Sequence, residues 1–238
     1  KSGGTVVKNV TGYDLSKLVT GSFGTLVALT EITLKVLPKK KSSNTITIHT
    51  DDKKLVKSLF DKISSSSSEV SGAIYMPEEP KDENYDQNKE MVFKFNDLKY
   101  KGSFLALRIE GDKISIDEKL KALTIELELS KLNTTVLDVH QSTPFWKKIN
   151  NLEIFKLTKN NLLRVVVPPS KGPKLMQFLG NKYKYYIDWC GSLYWIEVQS
   201  KKNSKVSDIK KLTKELGGYL TIIKTSDEYD YEETIFTV

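Results

Sequence analysis

Cysteine, histidine and arginine are nearly missing from these 238 residues: one cysteine (Cys190), two histidines (His49 and His140) and two arginines (Arg108 and Arg164). A lone cysteine excludes an intrachain disulfide and any all-cysteine cluster, and it fits a reducing compartment. The two histidines lie far apart in the sequence and lack ligand-type spacing, so no metal site is expected. No apolar run approaches the roughly 20 residues that a membrane-spanning helix needs, and no transmembrane segment is expected. Neither a Walker A loop nor a GxGxxG dinucleotide fingerprint occurs. With so few arginines, the net charge of +7 is built from lysine. The lysines are scattered, with short local runs such as 39–41 and 201–202, and no stripe interleaves them with aromatics. A solvated surface is the reading, and no nucleic-acid partner is expected. A basic nucleic-acid-binding domain remains the remote alternative.

What is present is an ordinary globular composition, 39% hydrophobic and 10% aromatic. A chain of this length buries a good core in one large or two small domains. Its densest stretch of signals is residues 1–40. A short apolar run at 5–7 follows Gly3-Gly4 and reads as a strand leaving a turn. Asp14 stands as the N-cap of a short helix over 15–20, with Gly21 just past its end. Residues 22–25 form a second tight turn that feeds 26–37. There Ile32, Leu34 and Val36 alternate with Glu31, Thr33 and Lys35, as a strand would. Two glycine-bearing turns thus flank one helix. Each is capable of presenting backbone N–H groups to an anionic ligand, yet turn geometry alone also explains such glycines.

A longer pattern runs through the same residues. Gly3-Gly4, Val7-Lys8-Asn9-Val10-Thr11-Gly12-Tyr13-Asp14-Leu15, Gly21-Ser22-Phe23-Gly24-Thr25-Leu26 and Thr33-Leu34-Lys35-Val36-Leu37-Pro38 follow in order. Together they resemble the flavin-domain signature of the FAD-linked oxidases, the vanillyl-alcohol-oxidase-like flavoproteins. Within that family they resemble the FAD-binding subunit of bacterial glycolate oxidase. The resemblance implies that this segment closes the second half of a PCMH-type FAD domain, its turns lying along the adenine-ribose-pyrophosphate part of the cofactor. Lys8, Asn9, Gly12, Tyr13, Asp14, Ser22, Gly24, Thr25 and Leu26 then become the FAD-binding candidates. Tyr13 either stacks near the flavin or packs on the helix it precedes. One departure stands out: Val27 occupies a position where the family usually has glycine. Family members also carry a long N-terminal portion with the main pyrophosphate loop, and a C-terminal tail absent here, so the chain is expected to be a fragment.

The resemblance further implies a flavin-binding, electron-transferring subunit of a glycolate (2-hydroxy acid) oxidase or dehydrogenase. Its expected partners are a related flavoprotein subunit, an iron–sulfur subunit and a small 2-hydroxy acid. Its expected location is cytoplasmic, with attachment to the inner membrane through the complex as an open possibility. The alternative is a non-catalytic assembly subunit that has lost flavin binding.

After a polar boundary at 39–44, the rest reads as an α+β domain over 41–238, following the flavin-domain part at 1–40. Strands are expected at 45–49, 71–76, 91–95 paired with 104–109, 135–139, 162–167 and 219–224, with a hairpin of 183–189 and 193–199 across 190–192. Helices are expected from a cap at Asp51 or Asp52 through 63, at 116–132, from Pro144 to about 152, at 174–179 and at 207–216; the serine run 64–68 and the Pro-bearing stretch 77–89 are loops. The alternation makes two β-α-β-like halves and a ferredoxin-like, mainly antiparallel cap. Residues 105–111, 163–169, 217–221 and Asp188-Trp189…Trp195 resemble weaker blocks of the same subunit's cap. Trp189 and Trp195 are read as core or sheet-face aromatics and His140 as a surface or structural histidine. Arg164 is a candidate to bind a substrate carboxylate bidentately, against the plainer reading of a surface or ion-pair arginine. No residue is assigned as the catalytic base.

Overall fold

The computed structural model describes residues 12–78, 80, 94–95, 98–99, 102–156, 158–199 and 203–226. Contacts divide the chain into two compact units, Lys1–Lys39 and Lys40–Val238.

In the first unit the described residues hold one helix, α1 (Leu15–Val19), capped by Asp14 as the sequence predicts. The strand expected at 5–7 falls outside the described residues. The strand expected over 26–37 does not form a ladder there. Its alternation is genuine, but both sets of side chains lie open: Ile32, Leu34 and Val36 are as exposed as their neighbours. A strand is a pairing, and period-two hydrophobicity supplies only half of one.

The second unit is built on β1 (Ser42–His49), α2 (Lys53–Ser65), β2 (Gly72–Met76), β3 (Lys94–Phe95), β4 (Leu98–Lys99), β5 (Phe104–Gly111), α3 (Lys113–Glu126), β6 (Thr134–Leu137), α4 (Val139–Asn150), β7 (Asn161–Val166), α5 (Gly172–Leu179), β8 (Lys184–Asp188), β9 (Leu193–Val198), α6 (Asn203–Glu215) and β10 (Tyr219–Lys224). Eight strands form one sheet in the order β10-β7-β9-β8-β2-β5-β1-β6, with neighbours antiparallel. The order decomposes into two βαββαβ halves. In the first half β6-β1-β5-β2, and in the second β10-β7-β9-β8, the strands run fourth-first-third-second. That is the ferredoxin-like arrangement, present twice. The two second strands, β2 and β8, meet at the centre through Tyr75 and Ile187.

The hairpin of β8 and β9 stands where the sequence puts it. The other expected pair does not form: β5 lies between β1 and β2. Of the strand expected at 91–95, residues 91–93 fall outside the described residues, while Lys94–Phe95 pairs, among the described residues, with Leu98–Lys99 in a separate ribbon. Helix starts follow their caps. The Asp52 carboxylate accepts from the Lys54 and Leu55 amides, and that of Asp112 from the Ser115 amide. α3 therefore begins before the expected 116, and it ends where Glu128 turns left-handed at φ 53°. α4 begins at Val139, ahead of Pro144, because Asp138 and Gln141 form a reciprocal capping box.

The four repeat helices α2, α3, α5 and α6 cover one face of the sheet, burying Val56, Leu59, Ile116, Leu123, Leu175, Leu179, Val206 and Ile209 against the strands. Among the described residues of this unit, the opposite, outer face is covered only in part. There Phe145, Trp146 and Ile149 of α4 pack on Ile74, Phe104 and Ala106, and Phe155 stacks on Tyr186 at 5.9 Å. Beneath α4, Trp146 Nε1 donates to Thr45 Oγ1 at 2.8 Å, and the Ser142 hydroxyl bridges those of Ser43 and Thr45.

Candidate functional site

In the first unit the expected site residues gather at the two ends of α1, which spans only about 8 Å at the helical rise. Gly12, Tyr13 and Asp14 stand at its start; Ser22, Gly24, Thr25 and Leu26 stand beyond its end. Lys8 and Asn9 lie outside the described residues. Asp14 Oδ1 accepts from the Lys17 amide at 3.2 Å, and the Lys17 ammonium lies 3.3 Å from Oδ2. The Lys17 backbone N–H, then its side chain, hold this carboxyl below its ordinary range. The second turn is closed by Thr25, whose amide and hydroxyl both donate to the Ser22 carbonyl, at 3.0 and 2.6 Å. Its central residues, Phe23 and Gly24, have φ of 52° and 77°, a primed turn that Gly24 adopts without steric cost. A Cβ added at Gly12, Gly21 or Gly24 would meet nothing within 4 Å, so bare backbone faces open space at both ends of the helix. Tyr13 is 93% exposed rather than packed on α1. Val27 is exposed too, a side chain where the resemblance implies none.

In the second unit the two arginines of the chain both rise from the outer face of the sheet, with opposite fates. Arg108 of β5 is held by polar partners. Its Nε donates to Ser71 Oγ at 3.0 Å and its Nη2 to the Ser71 carbonyl at 3.1 Å. Glu110 lies 3.4 Å away and the Trp146 ring 5.0 Å away. Arg164 of β7 has rings for neighbours: Trp189 at 5.3 Å and Tyr219 at 6.0 Å from its guanidinium carbon. Trp195 and Thr221 flank it in register on β9 and β10. Among the described residues no carboxylate pairs with it, so the ion-pair reading fits Arg108 and not Arg164. A guanidinium held by aromatic faces keeps its N–H edge available for a bidentate carboxylate or phosphate.

Trp189 corrects an expectation. It is not a core residue but is 55% exposed at the β8–β9 turn, while Trp195 is a sheet-face residue as read. Trp189, Cys190 and Gly191 all have positive φ, 49°, 50° and 94°. Consecutive left-handed residues of which two carry side chains are strained, and this turn is what sets the indole over Arg164. Burial pushes the neighbouring Asp188 carboxyl up, against the lowering influence of the Trp189 amide at 2.7 Å and the charge of Arg108. A raised folded-state value means that the stabilising protonated form is fully present below the ordinary carboxylate pKa and is lost as pH rises through the folded one. Asp188→Asn is therefore expected to raise the melting temperature at neutral pH, a gain that shrinks toward zero in acid. Parallel melting curves across pH check it; a gain that grows in acid contradicts the assignment.

Sequence reading missed Trp189 and Tyr219 as neighbours of Arg164. The Cys190-Gly191-Ser192 turn signals that Trp189 borders a bend, but nothing local connects Arg164 to Tyr219. His140 is exposed on α4, as read.

No protein-family model matches the chain. It is 25% identical over 225 residues to glycolate oxidase subunit GlcE of Escherichia coli (strain K12), which covers 94% of the chain and 51% of that relative. Over 46 residues it is 44% identical to glycolate oxidase subunit GlcD of Bacillus subtilis (strain 168), covering 19% of the chain and 10% of that relative. The chain thus spans about half the length of the first relative and a tenth of the second. The crystal structure of p-cresol methylhydroxylase with substrate bound superposes with a TM-score of 0.52 over 81% of this chain and 47% of that one, at 10% identity. That likeness is one of fold, and the mixed helical and antiparallel-sheet architecture is shared with it. The two sequence relatives are glycolate oxidase subunits, the kind of protein that the signature in residues 3–38 resembles.

Proposed function

We propose that the chain is part of an FAD-binding subunit of a 2-hydroxy-acid oxidase or dehydrogenase complex. Residues 1–40 belong to its flavin domain and 41–238 form its cap. The observation that supports this most is the pair of open, positive-φ glycine turns around α1, within a signature that resembles FAD-linked oxidases and in a chain related to glycolate oxidase subunits. The donor chemistry fits an FAD: Gly12, Gly21 and Gly24 leave backbone amides approachable at two points, and Tyr13 offers an exposed ring. Lys8, Asn9, Gly12, Tyr13, Asp14, Ser22, Gly24, Thr25 and Leu26 would hold the cofactor, which when bound supplies the two-electron oxidising chemistry. Arg164 would hold the carboxylate of the acid as a planar, two-point clamp. Partner subunits, including an iron–sulfur subunit, would take the electrons onward. Among the described residues no helix is long and apolar enough to cross a membrane, and attachment to a membrane would run through the complex.

A second reading, an assembly subunit that has lost its flavin, is favoured by Val27 alone. The two are separated on the complex purified from its native cells. Adding a 2-hydroxy acid is expected to bleach a flavin absorption band. Arg164→Met is expected to slow that bleaching about a hundredfold, the upper range for losing hydrogen bonds to a charged group, at unchanged flavin content. A complex without flavin supports the assembly reading; bleaching indifferent to the substitution removes Arg164 from substrate binding.

A further inference from the structure

The surroundings of Arg164 specify more than a carboxylate, and the ligand preference they imply rests on the reading of Arg164 as an acid clamp. On the outer face the charges are unevenly available. Arg108 is taken up by Glu110 and Ser71. The Lys224 ammonium donates to the Thr158 carbonyl. Glu197 accepts from Thr158 Oγ1 and Asn160 Nδ2. Asp188 is half-buried two strands across from Arg164 and carries no ion pair of its own among the described residues. Lys184, in register opposite Glu197, is buried and has a partner of its own. Among the described residues a ligand at Arg164 therefore meets one planar cation that no carboxylate holds, and the half-buried Asp188 carboxyl is on the same face. This favours a monocarboxylate over a dicarboxylate.

The remaining contacts are aromatic. Trp189 and Tyr219 flank the guanidinium while staying 55% and 47% exposed, and Trp195 lies in register beside it on β9. Such rings offer free faces and edges to another ring, and tryptophan, tyrosine and arginine concentrate binding energy where they cluster. A two-carbon acid would fill the clamp and leave these surfaces in water. We infer that the Arg164 site prefers a monocarboxylate carrying an aromatic ring, an aryl 2-hydroxy acid, over glycolate-sized acids and over dicarboxylates.

Calorimetric titration of the protein tests this without any turnover, using 3-phenyllactate, glycolate and 2-hydroxyglutarate as probes. Phenyllactate is expected to bind about tenfold more tightly than glycolate, the ratio for one good ring–ring contact, with 2-hydroxyglutarate weakest. Trp189→Leu, a change at an exposed position, is expected to narrow the phenyllactate-to-glycolate ratio toward one. Arg164→Met is expected to abolish binding of all three acids, and Arg164→Lys to restore it in part. Equal affinities for phenyllactate and glycolate, or a ratio untouched by Trp189→Leu, overturn the aryl preference while leaving the clamp intact if Arg164→Met still abolishes binding. Undiminished binding in Arg164→Met overturns the clamp and the preference together.

Discussion

Trp146→Ala is expected to destabilise the protein by about 4 kcal/mol, the scale for deleting a fully packed tryptophan. Trp146 is the hub of the outer-face covering. It lies edge-on to Phe145 at 5.4 Å and under the Arg108 guanidinium. Its ring is packed so tightly on Gly72 that a Cβ there would come within 3.0 Å of it. Its indole N–H is also the donor that ties Thr45 into the buried hydroxyl cluster with Ser43 and Ser142. Two losses therefore combine, and they separate experimentally. Trp146→Phe keeps most of the packing and removes the donor, which at the scale for one buried hydrogen bond costs about 1–2 kcal/mol. Urea unfolding of both variants measures the difference. Equal losses in the two would mean that the hydroxyl cluster, not the ring, holds α4 to the sheet.

Gly172→Ala is the second large effect, about 3 kcal/mol at the upper range for overpacking. A Cβ at Gly172 would stand 2.4 Å from the Gly191 carbonyl oxygen and 2.9 Å from the Tyr194 hydroxyl. Neither neighbour is free to retreat. Tyr194 is buried and donates to the Gly172 carbonyl at 2.8 Å, and Gly191 closes the left-handed turn that carries Trp189. The clash is thus transmitted to the indole over Arg164. The variant is expected to lose acid binding along with stability, with a changed tryptophan fluorescence. Wild-type stability together with wild-type binding would contradict the tight packing of α5 on that turn.

Much of the fold is legible in the sequence because its signals are local. Asp14 and Asp52 announce helix starts, and the hairpin reads directly from two apolar runs about Cys190-Gly191-Ser192. Asp138 and Gln141 carry an equally local capping signal, which Pro144 obscures by suggesting a later start. Other features depend on partners that no window contains. The alternation at 26–37 describes a strand that finds no ladder among the described residues. The segment at 94–95 reads as a partner for β5, yet β5 is already enclosed by β1 and β2. The two halves of the doubled ferredoxin-like unit show in the alternation of strands and helices, but their junction at Tyr75 and Ile187 is a tertiary fact. The site divides in the same way. The turns around α1 lie within one short stretch and are readable from it. The surroundings of Arg164 come from β7, β10 and the β8–β9 turn, and only folding brings them together.

The central claim is that the turns around α1 hold a flavin. Flavin content per chain, measured by absorbance after release from the purified native complex, tests it in wild type and in Gly24→Val. Gly24 has φ 77° and open space before it, so valine strains the turn and fills the approach. The account predicts bound flavin in the wild type and a loss of about tenfold or more in occupancy in the variant, since a β-branched residue is a genuine outlier at such a φ. Full occupancy in both, or no flavin in the wild-type complex, would contradict it.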